Sequence, residues 1–154
     1  MKGLKIVEIA SLEIGQTEFP QNSNNTKYGK WFNLDGVAWC GIFCSWVYSQ
    51  AGMQLPKIGF VKGFAGCHTA ISHFKKNGEV TTSPLPGDLV FFDWNADGKY
   101  DHVGIFNGWK IEYKEFYTIE GNTSFPNQND GGQVMKRIRK AINVVFVHPK
   151  VLDL

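Results

Sequence analysis

Cys40 and His102 are the residues of this sequence whose surroundings best suit covalent chemistry. Trp39, Ile42, Phe43, Trp46 and Val47 recur at i, i+3, i+4, i+7 and i+8, which predicts a helix over about residues 38–51 with Cys40 in its first turn. Backbone N–H groups and the positive end of the helix dipole favour a thiolate there, and the thiolate is the nucleophilic form. A small buried cysteine would occupy the same position equally well. His102 begins a predicted strand in which His102, Gly104 and Phe106 share one face and Val103 and Ile105 the other. Glu120 and Asn122 stand two apart at the end of the next strand. If the two strands pair, both can lie near the imidazole, where an acceptor for Nδ1–H would fix the tautomer and support an imidazolium. The alternative is that Glu120 and Asn122 only begin the turn Gly121-Asn122-Thr123-Ser124.

Between the strands lies Asp93-Trp94-Asn95-Ala96-Asp97-Gly98-Lys99-Tyr100-Asp101. Asp93, Asn95, Asp97 and Asp101 match oxygen-ligand positions 1, 3, 5 and 9 of a calcium loop, Gly98 matches the turn glycine at 6, and the Lys99 carbonyl would supply position 7. The acidic residue expected at position 12 is replaced by Gly104. The same segment also reads as an Asx-rich hairpin turn with Gly98 at positive φ. A calcium ion here would be structural, bracing the approach to His102.

These side chains need elements to position them. Leu4, Val7, Ser11 and Ile14 predict a helix over 2–14, closed by Gly15, and Cys67, Ala70, Ile71 and Phe74 predict another that ends at Asn77-Gly78. Residues 15–35 are polar and without period, and read as a long loop. After Pro84-Leu85-Pro86-Gly87, short apolar runs at 88–93, 102–107, 116–120, 134–139 and 143–147 predict about five strands. Helices precede strands with short connections, so an α+β domain with an antiparallel sheet is expected.

The 154 residues point to one domain spanning 1–154, large enough to fold without staples. Hydrophobic residues at 43% and 12 Phe exclude wholesale disorder, and 16 basic against 14 acidic residues exclude a protein made mainly to hold nucleic acid. Three cysteines cannot form a disulfide framework. The first residues lack the apolar run of a signal peptide, and no stretch reaches the length of a membrane span, so synthesis in the cytoplasm is expected. Cys44 and Cys67 read as packed core. A zinc site from Cys40, Cys44, Cys67 and His68 lacks Cys-x-x-Cys spacing. Lys136, Arg137, Arg139 and Lys140 read as a solvated edge strand or an anion contact. Tyr28, Trp31, Trp94 and Trp109 lie outside the clear core pattern, either packed or lining a groove.

Four segments in order resemble the CHAP family of cysteine, histidine-dependent amidohydrolases/peptidases. Val37-Ala38-Trp39-Cys40-Gly41-Ile42-Phe43-Cys44-Ser45-Trp46-Val47 is similar to its nucleophile helix, with Thr26-Lys27-Tyr28-Gly29-Lys30-Trp31 similar to the loop before it. Pro86-Gly87-Asp88-Leu89-Val90-Phe91-Phe92-Asp93 and Asp101-His102-Val103-Gly104-Ile105 resemble its central hairpin, and Thr118-Ile119-Glu120-Gly121-Asn122 its Glu-x-Asn strand end. The resemblance runs from about residue 5 to 147 and implies a papain-like fold, with N-terminal helices packed on the sheet.

It further implies Cys40 as nucleophile, His102 as general base, Glu120 as its orienting partner and Asn122 as a fourth, assisting member. The implied substrate is bacterial peptidoglycan, cut at an amide bond as an N-acetylmuramoyl-L-alanine amidase or an endopeptidase. The implied setting is that of a phage endolysin, reaching the wall with a separate holin or wall-binding partner, and its chemistry requires no cofactor. A delivered bacterial toxin, a non-catalytic wall- or calcium-binding module of the same fold and a Cys protease acting on proteins are the alternatives.

Overall fold

The computed structural model describes residues 1–123 and 132–154. Its elements are α1 (Lys2–Leu12), α2 (Lys27–Phe32), α3 (Cys40–Gln50), α4 (Cys67–Lys76), β1 (Val80–Thr81), β2 (Leu89–Phe92), β3 (His102–Ile111), β4 (Glu115–Thr123), β5 (Gln133–Lys140) and β6 (Val144–Val147), closed by a 3-10 turn at Lys150–Asp153. The architecture is α+β, as expected. The strands form one antiparallel sheet in the order β1-β6-β2-β3-β4-β5. Among the described residues no helix is long and apolar enough to cross a membrane.

Two elements went unread in the sequence. The 15–35 segment contains α2, which is six residues long and set by its caps: the Thr26 side chain accepts the Gly29 N–H at 3.0 Å, and Asn33 closes the helix with φ 63°. The sixth strand, β1, has two residues, too few for any alternation to show. In α1 the buried positions are Ile6 and Ala10; Leu4 and Ile14 of the expected stripe are exposed.

Each face of the sheet has its own core. Leu89, Phe91, Val103, Ile105, Ile119 and Val147 pack against all four helices. Val90, Phe92, Phe106 and Phe116 form a second cluster with Trp94, Trp109, Val144 and Phe146, as strand alternation requires. Central α3 is buried from Cys40 through Ser45 and at Val47 and Tyr48. It approaches β4 closely because Gly121 has no side chain: a Cβ there would lie 2.6 Å from Phe43 Cβ and 2.9 Å from the Trp39 ring.

Candidate active site

Cys40 is the first residue of α3 and belongs to the helix-side core. His102 is the first residue of β3 and faces the other way, paired with Phe92 and lying 5.3 Å from the stacked Trp94 ring. Cys40 and His102 therefore come from opposite faces of one sheet and meet at the leading end of β3, where the Val103 backbone supports the Cys40 sulfur.

His102 and Glu120 are fully buried, and the imidazole bonds the carboxylate through Nε2 to Oε1 at 2.9 Å. This corrects the expected use of Nδ1. The orienting bond is on Nε2; Nδ1 is buried with no nitrogen or oxygen partner among the described residues, and the ring's other interaction is with the Cys40 sulfur. Cys40 lies close enough to raise the imidazole's proton affinity. Gly104 makes room for the pair, since a Cβ there would fall 2.6 Å from Glu120 Cγ.

Arg139 completes the row, and the sequence did not point to it. Rather than lying on a solvated face, it is buried and binds Glu120 through Nε to Oε2 at 2.8 Å and through Nη2 to Oε1 at 2.5 Å. Thr118 donates to the same carboxylate, and the guanidinium lies 5.0 Å from the Trp94 ring centre. The missed signal was alternation in β5. Lys136 and Lys140 are exposed, as an edge strand predicts, whereas Arg139 pairs with Phe116 on the face that carries Glu120.

These neighbours set the charges. Burial disfavours the Glu120 carboxylate, but hydrogen bonds from Arg139 and His102 outweigh it and hold the pKa at about 2. Burial likewise opposes charge on His102, yet Cys40 and Glu120 push it up to about 9. Cys40 is held well below the usual thiol range, first by the hydrogen bond from Cys67 and then, against burial, by His102. These directions favour a thiolate on Cys40 and an imidazolium on His102, in a row where Glu120 and Arg139 continue the alternation of charge.

Asn122 is fully buried but makes no hydrogen bond to His102. Its Oδ1 accepts the Gly132 N–H at 3.3 Å, and its NH2 has no partner among the described residues. A bulge between Glu120 and Thr123, with Asn122 at φ 56°, breaks the alternation that would carry Asn122 to the imidazole. The alternative turn at 121–124 is not formed by its described part, because β4 continues through Thr123; Ser124 lies outside the described residues.

The 93–101 segment is a hydrogen-bonded turn. Asp93 accepts the Asp97 and Gly98 N–H groups at 3.2 and 2.9 Å, Asp97 accepts that of Lys99, and Asp101 that of Trp94. Asn95 donates to Asp97, and Gly98 has φ 83°. Among the described residues no three His, Cys, Asp or Glu side chains converge as a metal-binding group. As they stand, the oxygens of Asp93, Asp97 and Asp101 face backbone donors, and an ion would have to displace those donors to bind.

The other side chains follow one or the other of the readings their sequence allowed, with Cys44 and Cys67 in the core as expected. Tyr28 is core, stacked on Trp39 at 5.6 Å with its hydroxyl donating to Glu13. Trp109 packs in the second cluster, and Trp94 alone of the four aromatics touches the site. Cys44 is buried, and burial raises its thiol pKa first, ahead of the Cys40 charge. Cys67, read as core, stands at the start of α4 with its sulfur 3.6 Å from that of Cys40.

Among solved structures, the crystal structure of Ly7917 is similar, with a TM-score of 0.53 and 14% identity over 97% of this chain and 63% of that one. The likeness shows a shared fold, and the chain spans less than two thirds of that longer relative. No curated protein matches. The family model of the CHAP domain matches residues 32–122, over half of the chain, a span within which Cys40, His102, Glu120 and Asn122 lie. CHAP domains are typically cysteine- and histidine-dependent amidohydrolases and peptidases of peptidoglycan, and this chain belongs to the CHAP family.

Proposed function

We propose that the protein is a peptidoglycan hydrolase that cleaves an amide bond through a Cys40 thioester. The observation that carries the reading is the buried row in which Cys40, at the start of α3, lies beside His102, whose Nε2 is held by Glu120 at 2.9 Å, an arrangement that lowers the Cys40 pKa. The thiolate attacks the amide carbonyl, and imidazolium Nδ1–H protonates the leaving amine as the C–N bond breaks. The neutral imidazole then takes a proton from water, which hydrolyses the thioester and restores the pair. Glu120 holds the ring through Nε2 at 2.9 Å and stabilises its charge without accepting the proton. The Cys40 backbone N–H, with a donor from the 26–35 segment, would hold the oxyanion. Asn122 assists by resemblance alone.

The bond is that of an N-acetylmuramoyl-L-alanine amidase or of an endopeptidase. The setting proposed is endolysin-type: synthesis in the cytoplasm of a phage-infected cell, release through a separate holin, and residues 1–154 working as one catalytic unit. Mass spectrometry of purified peptidoglycan after digestion, with Cys40→Ala as control, tests the reading. Cys40-dependent fragments are expected, free stem peptides marking an amidase and cut stems or cross-bridges an endopeptidase. Identical digests from both proteins across several wall types would overturn it in favour of a non-catalytic module or a protease acting on proteins.

A further inference from the structure

Cys67 enters the mechanism above only as a hydrogen-bond partner of the Cys40 sulfur, yet the fold delivers it within bonding range. α3 and α4 both begin on a cysteine, and the two sulfurs lie 3.6 Å apart. The approach is built by the residues around it. Gly41 leaves the first turn of α3 bare, and a Cβ there would fall 2.7 Å from Ala65 O and 2.9 Å from the Phe64 ring. Ser45 ties the same segment down: its Oγ accepts the Phe64 N–H at 3.1 Å and lies 3.1 Å from Phe64 O as donor. The chain just before α4 is thereby clamped onto α3, and Cys67 follows from it.

We propose that Cys40 and Cys67 form a reversible dithiol–disulfide couple, with Cys67 as the resolving thiol that closes a disulfide on the nucleophile when a peroxide oxidises it. The Cys40 thiolate attacks hydrogen peroxide: an S–O bond forms, the O–O bond breaks, and the departing hydroxide becomes water with a proton from the His102 imidazolium. The Cys67 sulfur then attacks the sulfenic sulfur. An S–S bond forms, the S–O bond breaks, and the hydroxyl leaves as water with the Cys67 proton. The two thiols lose two electrons in all, and the peroxide is reduced to two waters.

The order of events follows from the charges. Cys67 is pushed well above the usual thiol range, first by its hydrogen bond to Cys40 and then by burial and the Cys40 charge. Oxidation of Cys40 to a neutral sulfenic acid removes that charge, so Cys67 becomes a better nucleophile when it is needed. Cys44 stays a thiol buried in the helix-side core. That closure silences the enzyme rests on Cys40 as the catalytic nucleophile; the formation of the bond does not.

The test treats the reduced full chain with hydrogen peroxide and follows intact mass, the non-reduced peptide map and wall hydrolysis in parallel. The wild type is expected to become about 2 Da lighter, to link the Cys40 and Cys67 peptides, and to regain hydrolysis with dithiothreitol. Cys67→Ser and Cys67→Ala are expected to gain oxygen instead and to pass to forms that dithiothreitol does not restore. Oxygen adducts alone in the wild type, or a bond from Cys40 to Cys44, would overturn the proposal. A Cys40–Cys67 disulfide in a protein without hydrolase activity would uphold the couple while removing the hydrolase; hydrolysis without the disulfide would do the reverse.

Discussion

Arg139 grips Glu120 with two nitrogens, at 2.8 and 2.5 Å, on the carboxylate that also holds the His102 imidazole. The guanidinium fixes both the charge and the direction of Glu120, and so acts on His102 without touching it. Arg139→Met leaves a buried carboxylate without its main counter-charge and is expected to lower stability by about 3–5 kcal/mol in chemical denaturation. Arg139→Lys keeps the charge without the fork. It is expected to fold but to lose kcat more than it raises KM, because a poorly held imidazole harms the transition state more than binding.

The ion pair needs Cys40 deprotonated and His102 protonated. The rate is therefore expected to rise through the depressed Cys40 pKa and to fall only as His102 loses its proton near pH 9. In Glu120→Gln, the loss of a negative neighbour lowers that upper limit. A kcat/KM profile of the two proteins measures the displacement, and an unmoved alkaline limb would remove Glu120 from the site's electrostatics.

Glu120 also enters the acid stability of the fold. Its folded pKa of about 2 lies below the ordinary value of 4.5, so its contribution is complete above pH 4.5 and is lost as pH falls toward 2. Linkage gives this contribution a size on the order of 3 kcal/mol. Urea unfolding of wild type and Glu120→Gln at pH 6 and pH 2.5 is expected to show a smaller acid loss in the variant.

Gly104→Ala would place a Cβ 2.6 Å from Glu120 Cγ, at a strand position with ordinary φ, so the clash is steric rather than conformational. Overpacking of this kind costs about 1–3 kcal/mol. The variant is expected to retain its far-UV circular dichroism while losing most turnover, because the displaced carboxylate no longer meets Nε2. Full activity would mean that the His102–Glu120 geometry is not required.

Asp93 anchors two backbone N–H groups in the turn before His102. Asp93→Ala strips both acceptors and is expected to lower Tm by several degrees, equally in calcium and in chelator, at about 1–3 kcal/mol of lost hydrogen bonding. A chelator effect confined to the wild type in differential scanning calorimetry would instead assign the 93–101 loop a structural calcium ion.

The helical stripe of α3 and the period-two runs of β2 and β3 were legible because burial on a defined face leaves a repeat in sequence. Cys40 and His102 were legible because each opens such an element. Arg139 and Cys67 were not. Arg139 sits among exposed basic residues, and its inward turn depends on the pairing of β4 with β5, a relation between distant segments. Cys67 meets Cys40 through the contacts of Gly41 and Ser45 with the Phe64-Ala65 segment, which leave no periodic trace. The imidazole's choice of Nε2 over Nδ1 follows from the ring's orientation, which spacing alone does not encode.

The turn from Phe92 to His102 has one further consequence. Phe92 pairs directly with His102, and the Asp101 N–H bonds the Phe92 carbonyl at 2.8 Å, so the turn's length keeps β3 in step with β2. A slip of one residue would rotate every β3 side chain through the sheet, carrying His102 to the helix side and Val103 to the aromatic side. Substitutions within 93–101 therefore alter how firmly the site is held, whereas an insertion or deletion that shifted the β2–β3 register would alter which side of the sheet His102 is on. Evolution of this loop is free in composition to the extent that its backbone bonds survive, and constrained in count.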